Sequence, residues 1–120
     1  MSPLADVRFE TLAGVVVARL EGEVDMTNAG DLGAAITAQV PSDARGLVLD
    51  LGAVEYLDSA GIHALFELRE RLTRRGQEIR LALAADSPVA TALEYAGVQH
   101  TLGAADTVQG AIHEIDDLEG

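Results

Sequence analysis

A chain of 120 residues holds one domain's worth of core, because two independently folding halves would each bury too little apolar surface. Its formal charge of −12, from 20 acidic residues against eight arginines and no lysine, disfavours direct contact with nucleic acid or a membrane surface. The lack of cysteine excludes disulfides, zinc–thiolate sites and thiol nucleophiles.

No run approaches the ~18 apolar residues that span a bilayer, and Met1 to Glu10 lacks the pattern of a signal peptide. The expectation is one soluble, cytoplasmic domain over residues 1–120, loose at 1–6 and along the acidic tail. Hydrophobic residues make up 48% of the chain, with two Phe, two Tyr and no Trp, so the core must be built from Ala, Val, Leu and Ile.

Val7, Phe9 and Thr11 alternate with Arg8 and Glu10, the period of a half-exposed strand. Ala13-Gly14 turns into Val15–Leu20, apolar on both faces as a central strand would be. Thr27 is placed to cap a helix with Ala29, Leu32, Ile36 and Val40 inward, weakened by Gly30 and Gly33 and stopped by Pro41. Leu47–Leu51 is a short buried strand, ending at Asp50-Leu51 with a loop behind it. Ser59 to Arg75 is the longest helix, with Ile62, Leu65, Phe66, Leu68 and Leu72 inward and Gly76 as its stop. Glu78–Ala84 is a strand. Ser87-Pro88 opens a helix closed by Gly97, and residues 98–102 suit an edge strand. Asp106 with Gln109 resembles a capping box for a last helix burying Val108, Ala111, Ile112, Ile115 and Leu118. One hairpin followed by βα units predicts an α/β fold: a mixed sheet of four to five strands with about four helices.

Asp58-Ser59 stands where the longest helix begins. A helix start offers unpaired N–H groups and partial positive charge, so either residue can be a plain N-cap, and a phosphate is also favoured there. Ser59 and His63 share a helix face and invite a hydrolase reading, but no nucleophile elbow surrounds Ser59 and no third group is evident to orient His63. Asp50 at a strand end suggests a phosphoacceptor aspartate, which fails for want of a lysine and an acidic pair, leaving a loop or capping carboxylate. His63, His100 and His113 lack ligand spacing, so no metal is expected, and no phosphate-binding glycine loop follows a strand. Arg69, Arg71, Arg74 and Arg75 suit the C-terminal end of their helix, with Glu67–Arg71 and Glu70–Arg74 at i,i+4.

Gly22-Glu23-Val24-Asp25, Leu47–Leu51, Tyr56-Leu57-Asp58-Ser59-Ala60-Gly61, Gly76–Leu81 and Ser87-Pro88 with Leu93 and Gly97-Val98 follow one another in a fixed order. In this the chain resembles STAS domains over roughly residues 7–113, and more narrowly the bacterial anti-sigma factor antagonists. The resemblance implies a binding switch and no enzyme. The unphosphorylated form would bind an anti-sigma factor that is itself a serine kinase, and release its sigma factor. Phosphorylation of Ser59 would switch it off and a phosphoserine phosphatase would restore it. Asp25, Asp58, Ser59, Ala60, Gly61 and His63 would form the partner surface. No cofactor is implied, since the ATP belongs to the kinase, and the free chain would be a monomer. Ala60 and His63 depart from the family's usual serine and small or aliphatic residue. A scaffold or regulatory STAS module, in a signalling assembly or beside a transporter, is the alternative.

Overall fold

The computed structural model describes residues 5–98 and 102–119. In chain order it comprises β1 (Ala5–Leu12), β2 (Val15–Val24), α1 (Ala29–Gln39), β3 (Gly46–Leu57), α2 (Ser59–Arg74), β4 (Glu78–Ala82), α3 (Pro88–Tyr95), β5 (Ala104–Ala105) and α4 (Val108–Glu119). The five strands form one sheet in the order β1-β2-β3-β4-β5. The first pair is antiparallel and the other three are parallel. The mixed α/β sheet expected from the alternating patterns is what the chain forms.

The hairpin turns on Ala13 and Gly14, with φ of 53° and 79°. Two positive φ values in a two-residue loop match the right-handed twist of the flanking strands, and the pairing of Leu12 with Val15 fixes the register. Because strand order follows chain order, right-handed crossovers put α1, α2 and α3 on one face of the sheet. There Ile36, Leu65, Leu68, Leu72 and Leu93 pack on Val16, Ala18, Leu47, Leu49, Ile79 and Leu81. On the other face α4 lays Ala111, Ile112 and Ile115 over Val15, Val17, Val48 and Ala82.

Several boundaries differ from those the sequence suggests, each for a local reason. β3 does not stop at Leu51 but continues to Leu57 alongside a β2 that reaches Val24. The helix α1 is capped at Asn28 rather than Thr27, without a side-chain cap bond, because the Asn28 amide is engaged with the Asp25 N–H and Glu23 O while Thr27 turns its hydroxyl to Asp25. At α4 the cap is Thr107, whose Oγ1 accepts from the Gly110 N–H at 3.0 Å, so Asp106 does not serve. Leu118, expected inside, is 56% exposed. β4 ends at Ala82 rather than Ala84. The edge strand expected over 98–102 falls partly outside the described residues, and the fifth strand is Ala104–Ala105. Asp50 is neither loop nor cap: it lies in β3, with Oδ2 3.5 Å from Arg19 Nε, and Arg19 also pairs with Glu10.

Gly76, at φ 74°, closes α2 as expected: its N–H reaches Thr73 O at 3.0 Å and the Gln77 N–H reaches Leu72 O at 2.8 Å, a Schellman pair of bonds. Ser87 caps α3 by accepting from the Ala90 N–H at 3.1 Å, with Pro88 at the first helical position.

Candidate functional site

The C-terminal ends of parallel strands are where an α/β sheet presents loops and helix N-termini together. β2 and β3 reach that end side by side. Register shifts between Arg19 and Glu21 and between Gly22 and Glu23 interrupt their ladder, and Gly22 takes up φ 97°. Such irregularities bend and twist a strand, and a glycine admits the backbone that one of them requires. Beyond them Glu23 pairs with Tyr56 and Val24 with Leu57. Asp25 and Asp58 therefore leave adjacent strands at the same level, joined by the Asp58 N–H donating to Val24 O at 3.2 Å.

After Val24 the chain folds into a tight polar turn. Asp25 Oδ1 accepts from the Thr27 hydroxyl at 2.6 Å and from the Thr27 N–H at 2.9 Å. Asn28 Oδ1 accepts from the Asp25 N–H at 3.0 Å, and Asn28 Nδ2 donates to Glu23 O at 2.9 Å. The Thr27 hydroxyl, then the Thr27 N–H, hold the Asp25 carboxyl below the usual aspartate value, with the Asn28 N–H adding to them and partial burial opposing. Asp25 thus stays ionised at the surface while its own turn fixes its orientation.

Across from it, Asp58 is the N-cap of α2: Oδ1 accepts from the Gly61 N–H at 3.0 Å, and Asp58 O accepts from the Ile62 N–H at 3.0 Å. Ser59 is the first helical residue and its side chain is exposed. The cap is therefore Asp58, and the Ser59 hydroxyl is left over from the helix's own needs. Ala60 is half-buried against the core.

Gly61 is buried, and its role is positional. A Cβ there would stand 2.5 Å from Leu57 Cδ1 and 3.1 Å from Val24 Cγ1, so only glycine lets the first turn of α2 sit directly on the strand ends. His63 projects into solvent one turn on, its Nε2 3.9 Å from Glu67 Oε2. Glu67 thus faces His63, while Arg71 Nη1 donates toward Thr37 Oγ1 at 3.5 Å.

The structure adds two residues that sequence reasoning passed over. Met26 is 80% and Tyr56 51% exposed, one beside Asp25 and the other two residues before Asp58. Both are close in sequence to the acidic residues Glu23, Asp25, Glu55 and Asp58. Concavities of about 370, 340 and 410 Å³ lie elsewhere, lined by Arg69 and Arg80, by Thr91 and Tyr95, and by Arg8 and Phe9, and Ser59 is part of none of them. Among the described residues no helix is long and apolar enough to cross a membrane.

Comparison with known proteins agrees with this architecture. The anti-sigma-F factor antagonist RsfB of Mycobacterium tuberculosis is 36% identical over 76 residues, 63% of this chain and 60% of that protein. The chain spans about three-fifths of the length of the curated relatives it matches. A crystal structure of an anti-sigma factor antagonist from Mycobacterium paratuberculosis superposes with a TM-score of 0.82 at 28% identity, over 93% of this chain and 94% of the other. SpoIIAA, an anti-sigma factor antagonist solved in its unphosphorylated form, shares the fold at a TM-score of 0.68 and 20% identity, over 96% and 99%. The sequence model of the STAS domain matches residues 6–111, and the chain belongs to the STAS-domain family.

Proposed function

We propose that this chain is a cytoplasmic anti-sigma factor antagonist, a binding switch without catalysis of its own. Unmodified, it binds a kinase-type anti-sigma factor and releases the sigma factor. The kinase ends the interaction by phosphorylating Ser59, and a phosphatase resets it. The observation that carries the reading is Ser59 itself: an exposed hydroxyl at the start of α2, flanked by Asp58 and Asp25, in a STAS domain whose named relatives are anti-sigma factor antagonists.

In the modifying step Ser59 Oγ attacks the γ-phosphorus of the kinase's ATP. The bond to the β-phosphate oxygen breaks, ADP leaves, and the hydroxyl proton passes to a base on the kinase. The product adds about −1.5 to −2 charge to a rim already carrying Glu23, Asp25, Glu55 and Asp58. Contact with partner carboxylates and the desolvation of the phosphate then oppose rebinding. Met26 and Tyr56 supply the apolar area of the contact, and Ala60 and His63 its helical side.

The test is to incubate the protein with ATP and each candidate serine kinase of its source organism, and to map the modification by mass spectrometry. One kinase placing a single phosphate on Ser59, with loss of its complex with this chain, is the expected result. Phosphate at another residue, or none with any kinase, overturns the switch.

A further inference from the structure

Between Ser59 and Leu68, His63 is the one side chain that can carry positive charge. It lies four residues after Ser59, on the same face of α2, with the acid-bearing position N-terminal to the basic one, the favourable order for an i,i+4 pair. It is exposed, so nothing packed fixes its rotamer, and its neighbour Glu67 at 3.9 Å is a weak surface contact that a stronger anion can replace. The charged residues at this end of the elements around it are acidic, Glu67 on its own helix, Asp31 in the first turn of α1, Asp25 after β2 and Asp58 at the cap, whereas the arginines of α2 stand further along: Arg69 and Arg74 pair with Glu70 and Arg71 reaches Thr37 of α1. The N–H groups of Ser59 and Ala60 find no internal acceptor among the described residues, because Asp58 takes those of Gly61 and Ile62.

Resting on the assignment of Ser59 as the modified residue, we propose that His63 is the phosphate-holding residue of the modified form. Its imidazolium closes onto a phosphate on Ser59, leaving Glu67, while the Ser59 and Ala60 N–H groups donate to the same oxygens. An imidazolium and a phosphate dianion held this close each favour the charged form of the other, because opposite charges in contact stabilise one another. The contact keeps the phosphate folded back along α2, and it sets off part of the repulsion from Asp58 and Asp25.

The experiment uses the full chain with phosphoserine installed at position 59 by genetic encoding, which needs no kinase. The second ionisation of the phosphate is followed by its phosphorus NMR shift in the otherwise native protein, in His63→Gln and in His63→Arg. The native protein should titrate about half a pH unit below His63→Gln in low salt, the difference shrinking in high salt. His63→Arg should keep the lowered value, since its charge does not titrate. Identical titrations in native and His63→Gln proteins overturn the contact, as does a loss of helical circular dichroism on installing the phosphate, because the contact requires the α2 register. Failure of every kinase to modify Ser59 would instead remove the proposed switch and leave these titrations standing.

Discussion

Substituting alanine for glycine has opposite consequences at two helical positions of this chain. At Gly61 the added Cβ would lie 2.5 Å from Leu57 Cδ1, 3.2 Å from Leu57 Cγ and 3.1 Å from Val24 Cγ1. Ordinary carbon contacts are 3.5–4.0 Å, so the shortfall at Cδ1 is about 1 Å. Rotating the Leu57 methyl away does not relieve the contact with Cγ, and Leu57 and Val24 are themselves buried. The first turn of α2 must therefore lift, which strains the Asp58–Gly61 cap and the Asp58–Val24 bond. Overpacking costs about 1–3 kcal/mol and alanine's better helix propensity returns about 1, for a net loss of about 1 kcal/mol. At Gly30 a Cβ meets nothing within 4 Å, and Gly30→Ala should gain about 0.5–1 kcal/mol. The two variants should thus differ by about 2 kcal/mol, or roughly 6–10 °C in Tm for a domain of this size. Urea unfolding at neutral pH with a common slope measures the difference directly. A Gly61→Ala protein as stable as Gly30→Ala would refute the claim that Gly61 is held by close approach.

Three further outcomes follow from the site. Thr27→Val removes the hydroxyl that most lowers the Asp25 carboxyl; since a depressed carboxyl stabilises fully above the usual value near 3.8 and loses that contribution as pH falls through the lower folded value, the stability gap between native and variant should be constant near neutral pH and close in acid. A gap that widened in acid would contradict the turn as described. Asp58→Ala should cost about 1 kcal/mol of stability through the lost cap, whereas Asp58→Asn should keep most of it, so that a change in partner affinity in the Asn variant reports charge alone. Met26→Ala and Tyr56→Ala should leave the melting temperature within about 2 °C while weakening binding to the cognate anti-sigma kinase at least ~5-fold in calorimetry, and unchanged affinity would remove these side chains from the contact.

The sequence made the hairpin, the three crossover helices and the Asp58-Ser59 junction legible because each rests on a local signal: alternation, 3.6-residue spacing, or a capping residue before an apolar run. What it hid was set by longer-range pairing. After Leu51 the buried residues of β3 are Val54 and Leu57, spaced by three, because the irregular ladder with β2 abolishes strict alternation. A period-two search therefore finds a loop there. Thr27 and Asn28 are both good capping residues, and the choice was decided by Asp25 engaging the threonine, which no propensity encodes. Met26 and Tyr56 look like core by residue type, and only their position at the outer end of β2 and β3 exposes them. Gly61 belongs to a motif in the sequence, yet the reason for a glycine is the distance to Leu57 and Val24.

The separation of Asp58 from Ser59 bears on how a switch at this place can act. Net charge cannot be the lever: a phosphate changes a total of −12 by about −1.5 to −2, and screening confines its influence to about 8 Å at physiological ionic strength. Within that distance the groups that matter belong to the Asp25 turn, the Asp58 cap and the first turns of α2. If Ser59 were the cap, modifying its Oγ would remove an acceptor from α2 and couple the switch to stability. With Asp58 holding the Gly61 N–H, the helix keeps its terminus whichever state Ser59 is in. Binding can then change without unfolding, because the residue that secures the helix and the residue proposed to carry the signal are neighbours with different tasks.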